Sequence, residues 1–149
     1  HSFSLAQANC SISQKGVVRG IHYADIPPGQ AKYVTCVSGS VLDVLVDLRI
    51  GSPTFGKWDS VHLEMNERKV VYLPSGIGHA FMALEDNTTV VYLCDQRYNP
   101  TNEHEIHPLD PTIGIKWPDG IEPLLSDKDA AAPSFESVKN RLPKYSDQN

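Results

Sequence analysis

The sequence predicts an all-β fold in which antiparallel strands form a sandwich or a barrel. Short apolar segments recur at regular spacing through the first two-thirds of the chain, and turns rich in Gly, Pro, Asn and Asp separate them. No amphipathic helical pattern lies between these segments, which disfavours a parallel α/β sheet. The predicted strands are Leu5–Ser13, Gly16–Tyr23, Lys32–Val37, Val41–Leu48, Lys57–Glu64, Lys69–Leu73, His79–Leu84 and Thr88–Asp95.

The fourth predicted strand, Val41–Leu48, alternates most regularly. Every second residue from Leu42 onward is apolar, whereas the opposite face carries Asp43 and Asp47. We therefore expect the apolar face to pack into a core and the face with the two carboxylates to lie in a wetter place.

The chain changes character after Asp95. Turn signals such as Asn99-Pro100 and Pro118-Asp119-Gly120 predict an irregular segment. A short helix is predicted over Phe135–Arg141, because Ser134 precedes it as an N-cap and Glu136 lies in its first turn.

Length and composition limit the classes of function. With 149 residues, 40% of them hydrophobic and 21% charged, the chain fits one globular domain. Its net charge of −5 argues against non-specific binding to nucleic acid, which requires a basic surface. No apolar run approaches the roughly 20 residues of a membrane span, so we expect no membrane partner.

The cysteines are Cys10, Cys36 and Cys94, and an odd number without close spacing argues against a disulfide framework or a zinc knuckle. Each lies in an apolar, strand-like run, so we expect three buried free thiols. Free thiols are typical of a reducing compartment, which predicts a cytoplasmic protein.

One stretch concentrates groups suited to chemistry. Arg19-Gly20-Ile21-His22-Tyr23 and the following turn to Lys32 place an arginine, a histidine and a lysine in one strand–turn–strand unit. Two cations and a residue that exchanges protons near neutral pH suit a site for an anionic ligand. The alternative is that all three are surface residues of a hairpin.

Strict alternation would place Arg19 and His22 on opposite faces of their strand. Gly20 lies between them, at a position where a β-bulge is common. We expect a bulge there that turns both side chains inward.

Six motifs, in order along most of the chain, resemble the dTDP-4-dehydrorhamnose 3,5-epimerase family. They are Gln7–Ser11, Lys15–Tyr23, Pro28–Lys32, Asp47–Trp58, Pro74–Phe81 and Leu125–Pro133. Pro74-x-Gly76-x-x-His79 also resembles the second cupin motif. The resemblance implies a cupin-type jelly roll over residues 1–149, with an irregular C-terminal segment and a short helix. In the family a further N-terminal segment, which contributes to nucleotide binding, precedes the point where this chain starts.

The resemblance also implies roles for individual residues. His22 matches the catalytic base, Asp129 the carboxylate that orients it, Lys32 the cation facing the enolate oxygen, and Tyr92 the proton donor. The implied substrate-binding positions are Gln7, Asn9, Arg19, His79, Glu103 and Lys128. Tyr98 does not align with the acid. The implied partners are a dTDP-sugar substrate and a second copy of the chain, in a homodimer, and no cofactor is implied.

Three alternatives remain open. Within the family, some members epimerise C3 alone, and the motifs do not separate the two types. A metal-dependent cupin would need a His-x-His pair near His22, and the sequence has none there, whereas His104 and His107 lack cupin spacing. A jelly-roll module that only binds a sugar nucleotide is the alternative from another class.

Overall fold

The computed structural model of the protein describes residues 3–146 and contains ten strands in this range. The strands are β1 Gln7–Ser13, β2 Val17–Ala24, β3 Lys32–Ser38, β4 Ser40–Asp47, β5 Trp58–Glu64, β6 Val71–Leu73, β7 Ile77–Ala83, β8 Thr88–Cys94, β9 Glu103–Glu105 and β10 Leu124–Leu125. Two short helices, α1 Asp127–Ala130 and α2 Phe135–Val138, follow them, and a 3₁₀ turn over Lys139–Arg141 continues α2.

The strands form two sheets. The four-stranded sheet has the order β1-β8-β3-β6 and is antiparallel throughout. The six-stranded sheet has the order β10-β2-β7-β4-β5, and β9 also pairs with β2. Its pairs are antiparallel except for β10, which runs parallel to β2. The fold is therefore the predicted all-β, cupin-like jelly roll.

The two sheets pack face to face over one apolar cluster. Val34 and Val90 from the four-stranded sheet meet Val41, Leu63 and Phe81 from the six-stranded sheet, all with 3% exposure or less. This layer leaves the sandwich open at the end where β1 and β3 begin and β2 and β8 end.

A second apolar cluster covers the outer face of the six-stranded sheet. Val44 and Val46 of β4 pack with Ile106, Phe135 and Val138 from the C-terminal third of the chain. The predicted helix is confirmed as α2 with its 3₁₀ extension, and the Ser134 side chain accepts a hydrogen bond from the Ser137 N–H as its N-cap. The irregular segment therefore folds back over the sheet.

All eight predicted strands are present, with ends shifted by up to two residues. The prediction missed β9, β10 and α1, which have two to four residues each. Elements this short carry no periodicity of their own, because a strand or helix pattern needs several repeats to be visible.

Two expectations about burial are wrong. Asp43 and Asp47 are 0% and 5% exposed. The four-stranded sheet covers the side of β4 on which Asp43 lies, and the loop after β4 supplies the Ser52 and Thr54 hydroxyls that donate hydrogen bonds to Asp47 Oδ2. Cys10 is exposed although Cys36 and Cys94 are buried as predicted. It lies on the outer side of the edge strand β1, where nothing in residues 3–146 covers it. Over the same residues, no helix has the length and apolar character needed to cross a membrane.

Candidate active site

A buried carboxylate holds the histidine of the central motif. His22 Nε2 lies 2.7 Å from Asp129 Oδ1, and the side chains are 39% and 5% exposed. Burial alone would raise the pKa of Asp129. The hydrogen bond and charge of His22, with weaker help from the Gly20 N–H and Ser126, outweigh burial and hold that pKa below its usual value. The carboxylate therefore stays ionised and orients an imidazole that reaches solvent.

Local geometry around Gly20 turns His22 toward the cavity. The register between β2 and β7 shifts between Arg19 and His22, which confirms the predicted bulge. Gly20 has a φ of +120°, and a Cβ there would lie 2.4 Å from the His79 carbonyl oxygen. Only glycine fits this position.

A nearly buried cation and a tyrosine lie side by side on β3 and β8 of the four-stranded sheet. Lys32 is 9% exposed, and its Nζ is 6.0 Å from the centre of the Tyr92 ring. Burial lowers the pKa of Lys32, although Cys94, Glu103 and Asp43 act in the opposite direction. Burial also raises the pKa of Tyr92, which keeps its hydroxyl protonated as a proton donor must be.

These groups line one cavity of about 380 Å³ at the open end of the sandwich. This volume falls in the range of small-ligand sites. The cavity walls come from the ends of β1, β2, β3 and β8, from β9 and from the chain around α1. The lining residues are Gln7, Asn9, His22, Gln30, Lys32, Tyr92, Cys94, Tyr98, Glu103, His104, Glu105 and Lys128. A neighbouring cavity of the same volume, with Arg97 in its wall, shares Gln30, Tyr98 and Glu103 with it.

The structure thus brings together most of the residues singled out from the sequence. Gln7 and Asn9 are hydrogen-bonded to each other on the cavity wall, with 2.9 Å between Gln7 Nε2 and Asn9 Oδ1. Gln30, which also lines the cavity, donates to Glu103 Oε1 at 3.2 Å. The cavity is therefore rich in amides and carboxylates able to bind hydroxyl groups.

Two of the predicted binding residues do not line the cavity. Arg19 is exposed, and its Nε donates to Ser13 Oγ at 3.1 Å, so the inward turn expected of the bulge holds for His22 only. Burial is the main cause of the raised pKa of Tyr92. Arg19 lies near enough to Tyr92 for its positive charge to lower that pKa in part. His79 is 7% exposed and lies behind the wall, with its Nε2 2.7 Å from Asp43 Oδ1.

Sequence reasoning missed several residues of this cavity. Glu105 forms an ion pair with Lys128, and this hydrogen bond raises the Lys128 pKa. His104 Nε2 lies 2.8 Å from Asp25 Oδ2, and Tyr98 shares the cavity with Tyr92. The missed residues Tyr98, His104 and Glu105 lie in the segment after Asp95, where the sequence shows only turn signals. Within residues 3–146 no three His, Cys, Asp or Glu side chains converge as ligands of a metal ion would.

Comparison with known proteins identifies the family. The family model described as dTDP-4-dehydrorhamnose 3,5-epimerase matches residues 1–137. The chain belongs to this family.

Relatives within the family carry two kinds of name. A dTDP-4-dehydrorhamnose 3,5-epimerase of Mycobacterium tuberculosis is 59% identical over 141 residues, which cover 93% of this chain and 70% of the relative. A dTDP-4-dehydro-6-deoxyglucose 3-epimerase of Streptomyces bikiniensis is 53% identical over 147 residues, covering 97% of this chain and 75% of the relative.

Solved structures of the family superpose closely on this fold. The rmlC epimerase of Mycobacterium tuberculosis matches with a TM-score of 0.95 at 57% identity, over 97% of this chain and 74% of the other. The 3'-monoepimerase ChmJ of Streptomyces bikiniensis, in complex with dTDP-quinovose, matches with a TM-score of 0.94 at 53% identity, again over 97% and 74%.

Proposed function

We propose that the protein epimerises a dTDP-4-keto-6-deoxyhexose at C3 and C5, as a step of dTDP-L-rhamnose biosynthesis. The observation that carries this proposal is the His22–Asp129 pair at 2.7 Å, whose histidine lines the same cavity as Lys32 and Tyr92. A base, an orienting carboxylate, a cation and a proton donor are the groups that inversion beside a ketone requires.

His22 takes the proton from the carbon beside the ketone. Its Nε2 is engaged with Asp129, so Nδ1 is the nitrogen that accepts. The ionised Asp129 fixes the tautomer of His22 and stabilises the imidazolium once the proton has arrived. As the C–H bond breaks, its electron pair moves toward the C4 carbonyl and produces an enolate.

Lys32 stabilises the enolate. Its ammonium is placed in a nearly dry environment, where an interaction with a developing oxyanion is stronger than in water. Loss of one such stabilising group typically costs about 10²–10³ in rate.

Tyr92 returns a proton to the opposite face of the carbon. The enolate collapses to the ketone, a C–H bond forms with inverted configuration, and the tyrosinate is left behind. Solvent then reprotonates Tyr92 and removes the proton from His22. The reaction therefore consumes and releases no net proton and involves no redox change.

The substrate is bound by the polar groups around this centre. Gln7, Asn9, Glu103 and Lys128 line the cavity and are suited to the sugar hydroxyls and the diphosphate. Arg19 lies outside the cavity, where its planar guanidinium would bind phosphate oxygens in a bidentate manner. His79 does not line the cavity and is buried next to Asp43, so it would affect substrate binding only indirectly.

The test is incubation with the dTDP-4-keto-6-deoxyglucose nucleotide in D₂O, with deuterium read by NMR at C3 and C5. Deuterium and inversion at both carbons are expected. Deuterium at C3 alone identifies the C3-only epimerase, for which the relative named a 3-epimerase is the supporting observation. Binding without any exchange identifies a non-catalytic sugar-nucleotide module and contradicts the proposal.

We also propose a homodimer, formed through the outer face of the four-stranded sheet. Ile12, Tyr33, Val37 and Tyr72 on β1, β3 and β6 are between 37% and 64% exposed, which is a large apolar area for a free surface. Sedimentation velocity is expected to give twice the mass of one chain. A monomer at micromolar concentration would contradict this proposal.

A cytoplasmic location accompanies this function. It rests on the three cysteines, Cys10, Cys36 and Cys94, all of which are free. Fractionation of the producing cells tests it.

A further inference from the structure

A second polar cleft lies between the outer face of the six-stranded sheet and the C-terminal segment, and the reaction above does not use it. Its volume is about 380 Å³, and the sheet contributes Tyr23, Asp25, His104 and Glu105 to its lining. His104 and Glu105 also line the catalytic cavity, so the short strand β9 separates the two spaces. The cleft is within the size range of small-ligand sites.

The two acids of this cleft already have partners. Asp25 Oδ2 lies 2.8 Å from His104 Nε2, and Glu105 forms its ion pair with Lys128. No acid in the lining of the cleft is therefore left to attract a cationic ligand.

The hydroxyl of Tyr23, in contrast, has no hydrogen-bond partner within residues 3–146. Only 7% of Tyr23 is exposed, because its ring packs in the outer apolar cluster, with its centre 5.4 Å from that of the His104 ring. Burial and, next, the charge of Asp25 raise the pKa of Tyr23, so its hydroxyl keeps the proton and can donate it in a hydrogen bond. A hydroxyl on a side chain this buried loses free energy unless an acceptor reaches it from the cleft.

Arg141 is the second group of the cleft that lacks a partner. The ion pairs found within residues 3–146 do not include its guanidinium. It lines the cleft together with Tyr23, and its positive charge lowers the Tyr23 pKa against the larger effect of burial. Pro133 and Val138 add apolar surface to the same cleft. Its unmatched groups are thus a guanidinium and a hydroxyl, both donors, next to an apolar patch.

We propose that this cleft binds a small carboxylic acid with a short apolar chain. Arg141 holds the two carboxylate oxygens by parallel hydrogen bonds, and the Tyr23 hydroxyl donates to one of them. The chain of the ligand packs on Pro133 and Val138. One negative charge suits the cleft better than two, because Asp25 and Glu105 repel any further negative charge. The site does not depend on the proposed epimerase function.

The test uses butyrate, which joins one carboxylate to a propyl chain. In protein with ¹⁵N-labelled arginine, the Arg141 Nε signal is assigned by its loss in Arg141→Met and followed by NMR as butyrate is added. The signal is expected to shift with a dissociation constant on the order of millimolar, as suits a ligand of about six non-hydrogen atoms. The control ligand is n-butylammonium, with the same chain and the opposite charge, and it is expected to leave the signal in place. Inorganic phosphate is expected to bind more weakly than butyrate.

Variants locate the ligand within the cleft, with binding read from the butyrate signals by saturation-transfer NMR. Arg141→Met is expected to weaken butyrate binding by about tenfold or more, and Tyr23→Phe, which removes only the hydroxyl, by about two- to tenfold. Lys139→Met is the matched control, since Lys139 lies in the same 3₁₀ turn but pairs with Glu136. Its affinity for butyrate is expected to equal that of the parent.

Several results would overturn this site. They are no binding of butyrate, equal binding of n-butylammonium, tighter binding of phosphate, or an unchanged affinity in Arg141→Met or Tyr23→Phe. Displacement of butyrate by saturating dTDP would also overturn it, because the ligand would then occupy the catalytic cavity. Each of these results leaves the epimerase function untouched, since deuterium exchange into the sugar nucleotide measures that function separately.

Discussion

His22 Nε2 and Asp129 Oδ1 are 2.7 Å apart although 107 positions of the sequence separate the two residues. His22 is on β2, and Asp129 is in α1, a helix of four residues that begins directly after β10. β10 runs parallel to β2, with Leu124 and Leu125 opposite Val17 and Val18. This two-residue strand therefore brings the carboxylate to the histidine.

Asp129→Asn is expected to lower kcat by about 10²–10⁴, because the amide neither fixes the tautomer of His22 nor stabilises its imidazolium. The measurement is the initial rate of deuterium incorporation at saturating substrate. Asp127→Asn is the control, since this exposed carboxylate lies in the same helix, two residues before Asp129. Equal rates for the parent and Asp129→Asn would show that Asp129 has no part in the reaction.

Tyr92→Phe is expected to separate proton abstraction from inversion. The ring and its packing remain, but the donor on the second face is lost. His22 then returns deuterium from solvent to the face it came from, so the substrate becomes labelled with little inverted product. His22→Ala is expected to lose both exchange and inversion, by a factor on the order of 10²–10⁴. Inversion by Tyr92→Phe at close to the parent rate would reduce Tyr92 to a packing residue.

Activity is expected to be independent of metal ions, since the sequence lacks the His-x-His pair that a metal-dependent cupin would place near His22. Initial rates before and after exhaustive chelation, together with elemental analysis of the purified protein, check this. Loss of activity on chelation that one divalent metal restores would contradict it.

Asp47 is expected to make stability depend on acid pH. Burial would raise the pKa of its carboxyl, but hydrogen bonds from Arg49, Ser52 and Thr54 lower it well below its usual value. The folded-state pKa is thus below the unfolded value of about 3.9, so the contribution is complete above that pH and is lost as the pH falls further. Asp47→Asn is expected to cost about 2–3 kcal/mol of unfolding free energy at pH 7.

Denaturant unfolding of the parent and of Asp47→Asn between pH 2 and pH 7, spaced by about one unit, measures this effect. The difference between the two proteins is expected to shrink as the pH falls below about 4. Asp119→Asn, at an exposed position, serves as the control and is expected to show no such pH dependence. A constant difference from pH 7 to pH 2 would show that the ionised form of Asp47 is not the stabilising one.

The regular part of the fold was predictable because its signal is local. In β4 the alternation of side chains is visible over eight residues, and the turn at Ser38-Gly39-Ser40 fixes where the strand begins. The same local signal misassigned the surroundings of Asp43, because alternation separates two faces but does not show what covers each of them. Here the second sheet covers one face and the C-terminal segment the other.

Motifs along the chain named His22, Lys32, Tyr92 and Asp129 as one group, and the structure places the first three around one cavity with Asp129 behind His22. Tyr98, His104 and Glu105 could not be found in the same way. Their segment has no periodicity. His104 and Glu105 reach the cavity because β9 pairs with β2, with Glu105 opposite His22. Tyr98 precedes β9, and its backbone N–H donates a hydrogen bond to Gln7 Oε1 at 2.8 Å.

The sequence by itself determined the all-β class, the positions of the eight main strands along the chain, the helix capped by Ser134 and the family. Each of these depends on residues close together in the chain or on whole motifs. Only the tertiary structure decided which side chains share the cavity, why Arg19 and His79 lie outside it, and that Asp43 is dry. Those properties depend on pairings between segments far apart in sequence, such as β2 with β9 and β10 and one sheet against the other. The free energy that selects these pairings comes from burying both apolar clusters at once, which no single stretch of the chain can specify.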